Sequence, residues 1–158
     1  MMICLPHLER RDFLGGALAC FPLALLGQAA KAPAPPVIAK VSAGEDRLCE
    51  HHTIGVSTTA YEVLTTDSSG ALFLFEHRNA AGKKAGPPRH LHHHEDEWFY
   101  VIEGQYIAEV GSTRVELKPG DSILGPREVP HAWAFVGDTP GRVLIAATTR
   151  SVVKEMNT

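Results

Sequence analysis

Several things are scarce in this sequence, and each scarcity excludes a class of protein. The apolar stretch Phe13 to Gly27 is interrupted by Gly15, Gly16 and Pro22 and is shorter than the roughly 20 residues a membrane-spanning helix needs. No basic stripe is present: 15 Lys and Arg stand against 18 Asp and Glu, a net charge of −3, which lacks the electrostatic footprint of a nucleic-acid binder. Aromatics are modest at 7%, and beyond the N-terminal segment no stretch keeps helical periodicity past two turns, so a helix bundle is excluded. Three cysteines are too few for a disulfide framework. Internal repeats are absent. What the chain has in plenty is turn-forming residues, 14 Gly and 11 Pro in 158 residues with 44% hydrophobic content, which suits one globular domain of many short elements.

The N-terminus reads as a targeting segment. Arg10 and Arg11 directly precede the apolar stretch, and small residues near Ala29, Ala30 and Ala32 offer cleavage points, the layout of a secretory signal. Arg-Arg-Asp-Phe-Leu resembles a twin-arginine export signal. The expected organisation is a signal over 1–32, a Pro/Ala-rich tether over 33–40 and a domain over 41–155. The expected location is the periplasm or the exterior, with no stable membrane span after processing; an N-terminal anchoring helix is the alternative. Because Cys4 and Cys20 would leave with the signal, the mature chain is expected to need no internal disulfide.

Past the tether, strand-like runs alternate with turns. The runs are 71–78, 97–102, 105–110, 113–117, 122–125, 131–136 and 142–148, with Glu103-Gly104 read as a hairpin-like pair. Short strands at this spacing predict an all-β sandwich or barrel, and an antiparallel jelly roll of about eight strands would enclose one small cavity.

Histidine is concentrated in one place. Four of nine lie at positions 90, 92, 93 and 94, followed by Glu95, Asp96 and Glu97. His90 and His92 share one side of an extended segment, so their nitrogens can converge on one cation. Glu97 heads an inward row with Phe99 and Val101, where a carboxylate needs a charged partner. By parity alone His94 competes with Glu97 for that place, and Glu97 joins His90 and His92 only through an irregular turn over His93 to Asp96. Phe99, Val101, Trp133 and Phe135 are cavity-wall candidates by alternation, with core packing the alternative. Trp98, Tyr100 and Ile102 take the opposite face, which suits packing between sheets or a homodimer. His51, His52 and His77 read as ordinary sheet or surface residues.

These residues resemble the cupins, and among them the single-domain, quercetin-dioxygenase-like group. The first cupin motif is matched by His90-Leu91-His92, Glu97 and Gly104, with its initial glycine displaced to Gly86. The second is matched in "KPGDSILGPREVPHAW", with Gly120-Asp121, Pro126 and His131 in order and Glu128 standing where a glycine is usual. The resemblance implies a double-stranded β-helix (jelly-roll) barrel. It places the metal ligands on His90, His92, Glu97 and His131, leaving His93 and His94 to the turn or to solvent.

Four protein ligands would close a tetrahedral zinc site, whereas a six-coordinate ion keeps two places for water, dioxygen or substrate. One divalent transition metal is therefore expected, with Mn, Fe or Ni preferred and Co, Cu or Zn compatible. The resemblance implies metal-dependent oxygenation of a small phenolic or enol-type compound, with Glu97 as ligand and general base. A non-redox isomerase or lyase, and a non-catalytic small-molecule or metal binder, are the alternatives.

Overall fold

The computed structural model describes residues 40–149. The expected export signal, nearly all of the expected tether and the end of the expected domain fall outside them. Nine strands follow in order: β1 (His52–Ile54), β2 (Ser57–Val63), β3 (Leu72–Asn79), β4 (Glu95–Glu103), β5 (Tyr106–Val110), β6 (Thr113–Leu117), β7 (Ser122–Gly125), β8 (His131–Phe135) and β9 (Gly141–Thr149), with one 3-10 turn at Thr65–Ser68. All pairings are antiparallel. They build a six-stranded sheet of order β1-β2-β3-β9-β4-β7 and a three-stranded sheet of order β6-β5-β8. Among the described residues no helix is long and apolar enough to cross a membrane.

Alternation along the strands makes the core. On β4, Phe99 and Val101 are buried while Trp98 is exposed, as expected when successive side chains point to opposite faces. They meet Tyr106 and Ala108 of β5, Trp133 and Phe135 of β8, and Val143 and Ile145 of β9 in one cluster between the sheets. The all-β jelly roll expected from the sequence is the fold observed.

The step from β4 to β5 is not a hairpin. β4 pairs with β7 and β9, and β5 with β6 and β8, so Glu103-Gly104 carries the chain from one sheet to the other. Gly104 has φ +85°, and a Cβ there would lie 2.8 Å from Gly141 Cα. Glycine is needed at this corner both for its backbone angle and for lack of room. The true hairpin is at Gly111-Ser112, where Val110 pairs with Thr113.

The β1–β2 hairpin went unanticipated. Its inward residues Ser57 and Thr59 are buried but polar, satisfied across the strand pair by Asn79 Nδ2 (2.7 Å) and His77 Nδ1 (3.1 Å). Cys49 is disulfide-bonded.

Candidate metal centre and its cavity

Three elements bring the cluster together. β4 opens with Glu95 and carries Glu97 inward; β8 opens with His131; the extended segment before β4 brings His90 and His92. The backbones at 90 and 131 form an isolated antiparallel bridge, with His90 N donating to His131 O and His131 N to His90 O, both at 2.9 Å. A bend at His93 and His94 then resets the parity, so that Glu97, and not His94, shares the side of His90 and His92. The irregular turn required by the sequence is present.

The resulting geometry is compact. Ligand atoms from His90, His92, Glu97 and His131 all lie within 4.8 Å of one another. Glu97 Oε2 sits among the three imidazoles, at 3.1 Å from His131 Nε2, 3.6 Å from His92 Nε2 and 3.8 Å from His90 Nε2. His90 Nδ1 lies 2.9 Å from Pro88 O, and His131 Nδ1 lies 2.9 Å from Val129 O. A carbonyl only accepts, so both Nδ1 atoms carry protons, and in the neutral rings the Nε2 lone pairs face the cluster. His92 Nε2 is buried and has no hydrogen-bond partner. Buried polar atoms are nearly always satisfied, and an orphan nitrogen beside a carboxylate and two oriented imidazoles fits a bound cation. Three neutral nitrogens and one anionic oxygen suit a divalent transition metal.

The neighbouring loop is held by charge. Arg127 donates to Asp96 from its backbone N (2.9 Å) and its Nε (3.0 Å), with a further bond from the guanidinium to Oδ2. These guanidinium and backbone bonds hold the Asp96 carboxyl down at about 2. Glu128, the departure from the motif, adopts φ +63°. The turn thus keeps a glycine-like backbone with a side chain on it. Glu128 N donates to His92 O at 2.8 Å, and its carboxylate oxygens lie 3.2 Å from His93 Nδ1. His93 is exposed and held by this loop; His94 is exposed.

A cavity of about 370 Å³ opens over the cluster, with His90, His92, Glu97, Trp133, Ile145 and Phe75 among its lining residues. Of the four wall candidates, Trp133 lines it. Phe99, Val101 and Phe135 lie in the core cluster instead, at 2%, 0% and 0% exposure. Alternation gave their inward direction correctly; their depth along the barrel places them in the packed core. Phe99 lies against His131, ring centroids 6.1 Å apart.

Sequence reasoning missed three contributors. His77 is buried and on the cavity wall, although its parity with Phe73 and Phe75 could have shown this. Ile54 and Val56, from the overlooked hairpin, line the cavity. Gly86 approaches Trp133 so closely that a Cβ would lie 1.9 Å from the Trp133 carbonyl oxygen. The displaced glycine is thus required by contact.

The cupin-domain family profile matches residues 80–147, a span containing all four clustered side chains. Over these residues the chain is similar to cupin domains. Among curated proteins, the chain is 34% identical over 95 residues to an oxidoreductase of Arthrobotrys oligospora, covering 52% of this chain and 38% of that protein. It is also 31% identical over 55 residues to an uncharacterized protein of Methanocaldococcus jannaschii, covering 35% of this chain and 44% of that one. The chain thus spans less than half the length of either relative. The polyketide cyclase RemF of Streptomyces resistomycificus superposes on this chain with a TM-score of 0.58 at 22% identity, over 71% of this chain and 80% of that one; the likeness is one of fold.

Proposed function

We propose that this cupin is an exported, metal-dependent oxygenase of a small phenolic or enol-type compound. The observation that carries the metal reading is the partnerless His92 Nε2 buried beside Glu97. His90, His92, Glu97 and His131 would hold a divalent ion, with Mn, Fe or Ni preferred and Co, Cu or Zn compatible with the same donors. When bound, such an ion would supply Lewis acidity that favours the ionised form of a phenol or enol, and a redox-active one such as Mn or Fe would also exchange electrons with dioxygen.

The chain's own residues do the rest. Pro88 O and Val129 O fix two of the imidazoles, so the donors are oriented before anything binds. Glu97, at the floor of the cavity, accepts the substrate hydroxyl proton as general base. Trp133, Phe75 and Ile145 flank a flat ring and keep water from it. The likeness to an oxidoreductase supports redox chemistry over the isomerase, lyase and binder alternatives. On the outer sheet face, Trp98 stacks on Tyr100 at 5.6 Å beside exposed Leu124, and we assign this face to a homodimer contact. Export rests on the Arg10-Arg11 segment.

The test is oxygen consumption. Mature protein loaded separately with Mn, Fe and Ni is offered flavonols and catechols, and at least one pairing consumes oxygen. No uptake under any loading overturns the oxygenase reading.

A further inference from the structure

Apart from the four-residue cluster, the side chains with polar atoms lining the cavity are Ser57, His77 and Trp133, whose indole N–H can only donate. Ser57 Oγ already accepts from Asn79 Nδ2 at 2.7 Å. That pair belongs to a buried chain in which Tyr106 Oη donates to Asn79 Oδ1 at 3.1 Å. His77 is different. Its Nδ1 lies 3.1 Å from Thr59 Oγ1, the residue directly opposite it across β2 and β3, and no hydrogen bond among the described residues reaches its Nε2. The ring is held edge-on to Trp133, centroids 5.2 Å apart at 85°, so its direction is fixed by packing as well as by Thr59.

Burial pushes His77 below the usual histidine range, so the ring is neutral at pH 7. A neutral imidazole offers one donor and one acceptor. Whichever of Thr59 and Nδ1 donates, Nε2 keeps the complementary function for the cavity. No ring contact joins His77 to His90, His92 or His131, and it stands outside their cluster. The cluster and His77 are thus two separated polar stations on a mostly apolar wall, and small-molecule sites of this kind take orientation from a few such groups.

We propose that His77 is the second polar anchor of this cavity, a specificity-determining residue whose Nε2 hydrogen-bonds a ligand oxygen remote from the metal-facing cluster. The ligand is accordingly a small, largely apolar ring compound with oxygen functions at two separated positions. The inference rests on the cavity assigned under the proposed function and narrows its substrate class.

Equilibrium binding, read by ligand fluorescence under anaerobic conditions, tests it without turnover. The probes are 2-naphthol and the 1,5-, 2,6- and 2,7-dihydroxynaphthalenes, each titrated into metal-loaded and EDTA-treated protein. At least one diol is expected to bind wild type about tenfold more tightly than 2-naphthol, the worth of one buried hydrogen bond. In His77→Phe that advantage vanishes, with metal content unchanged. Thr59→Val, which frees the ring while leaving His77 in place, reduces the advantage and serves if His77→Phe fails to fold. A diol advantage that survives these substitutions, or no diol advantage in wild type, overturns the proposal. Binding indifferent to EDTA sinks the metal reading instead, and the comparison between diol and 2-naphthol still reads His77.

Discussion

Gly125 lies directly across from Glu97 in the β4–β7 register, beneath the His131 ring. Its φ is outside the left-handed region, so Gly125→Ala introduces no backbone strain, only a methyl group. That Cβ would lie 3.0 Å from His131 Nδ1, 3.1 Å from Cγ and 3.2 Å from Cε1. His131 is 1% exposed and tied through Nδ1 to Val129 O. The ring must therefore yield by a few tenths of an ångström, against a tolerance of about 0.2 Å in ligand distance. Overpacking itself costs about 1–3 kcal/mol in the metal-free protein. The further effect is on the metal, where misplacing one oriented ligand weakens binding by about 10–100-fold. At a metal concentration about 1,000 times the wild-type Kd, binding stabilises the fold by about 4.1 kcal/mol; the variant retains about 2.7 to 1.4 kcal/mol. Chemical denaturation of both proteins, with and without Mn, measures this difference of differences. Equal metal-induced stabilisation in wild type and Gly125→Ala would refute the placement of His131 in the metal cradle.

Two further outcomes bear on the same loop. His92→Ala removes the orphan nitrogen and is expected to abolish retained metal, whereas His93→Ala, at an exposed ring bonded only to Glu128, has a smaller effect; elemental analysis after dialysis decides, and equal metal in wild type and His92→Ala removes His92 from the ligand set. Asp96→Asn is expected to cost about 1 kcal/mol at neutral pH, the full shift discounted for partial exposure of both partners. Because the folded carboxyl titrates at about 2, below its unfolded value, the stabilisation is complete above pH ~4 and is lost as pH falls toward ~2. Denaturation curves of the two proteins should converge across that window; a gap constant down to pH 2 would mean Arg127 does not hold Asp96 as described.

Most strands were legible because their inward rows are apolar: Phe99 and Val101, or Val143 and Ile145, alternate cleanly with less buried neighbours. The β1–β2 hairpin was not, because Ser57 and Thr59 face inward and find their partners on β3, which a single segment cannot reveal. The same pairing hid His77. Its parity was readable, but its worth depends on which strand closes over it. At the cluster, residue types and spacing named His90 and His92, the resemblance to cupins supplied His131, and the place of Glu97 over His94 hinged on a backbone bend that parity alone contradicts. Phe99 and Phe135 show the converse limit, since period two gives direction and not depth. Glu128 tolerated its left-handed angle because the turn around it is fixed from both sides, by His92 O and by the Asp96 clamp on Arg127.

The reciprocal amide bonds between residues 90 and 131 have a consequence for how the protein would acquire an ion. The two loops are stitched to each other by main chain, so they keep their spacing whether or not anything sits between them. Such a socket discriminates poorly among ions of similar size, and the occupant is decided by supply where the protein folds. Stripping and refilling it should leave the barrel unchanged, which makes metal exchange in vitro a fair route to every loaded form.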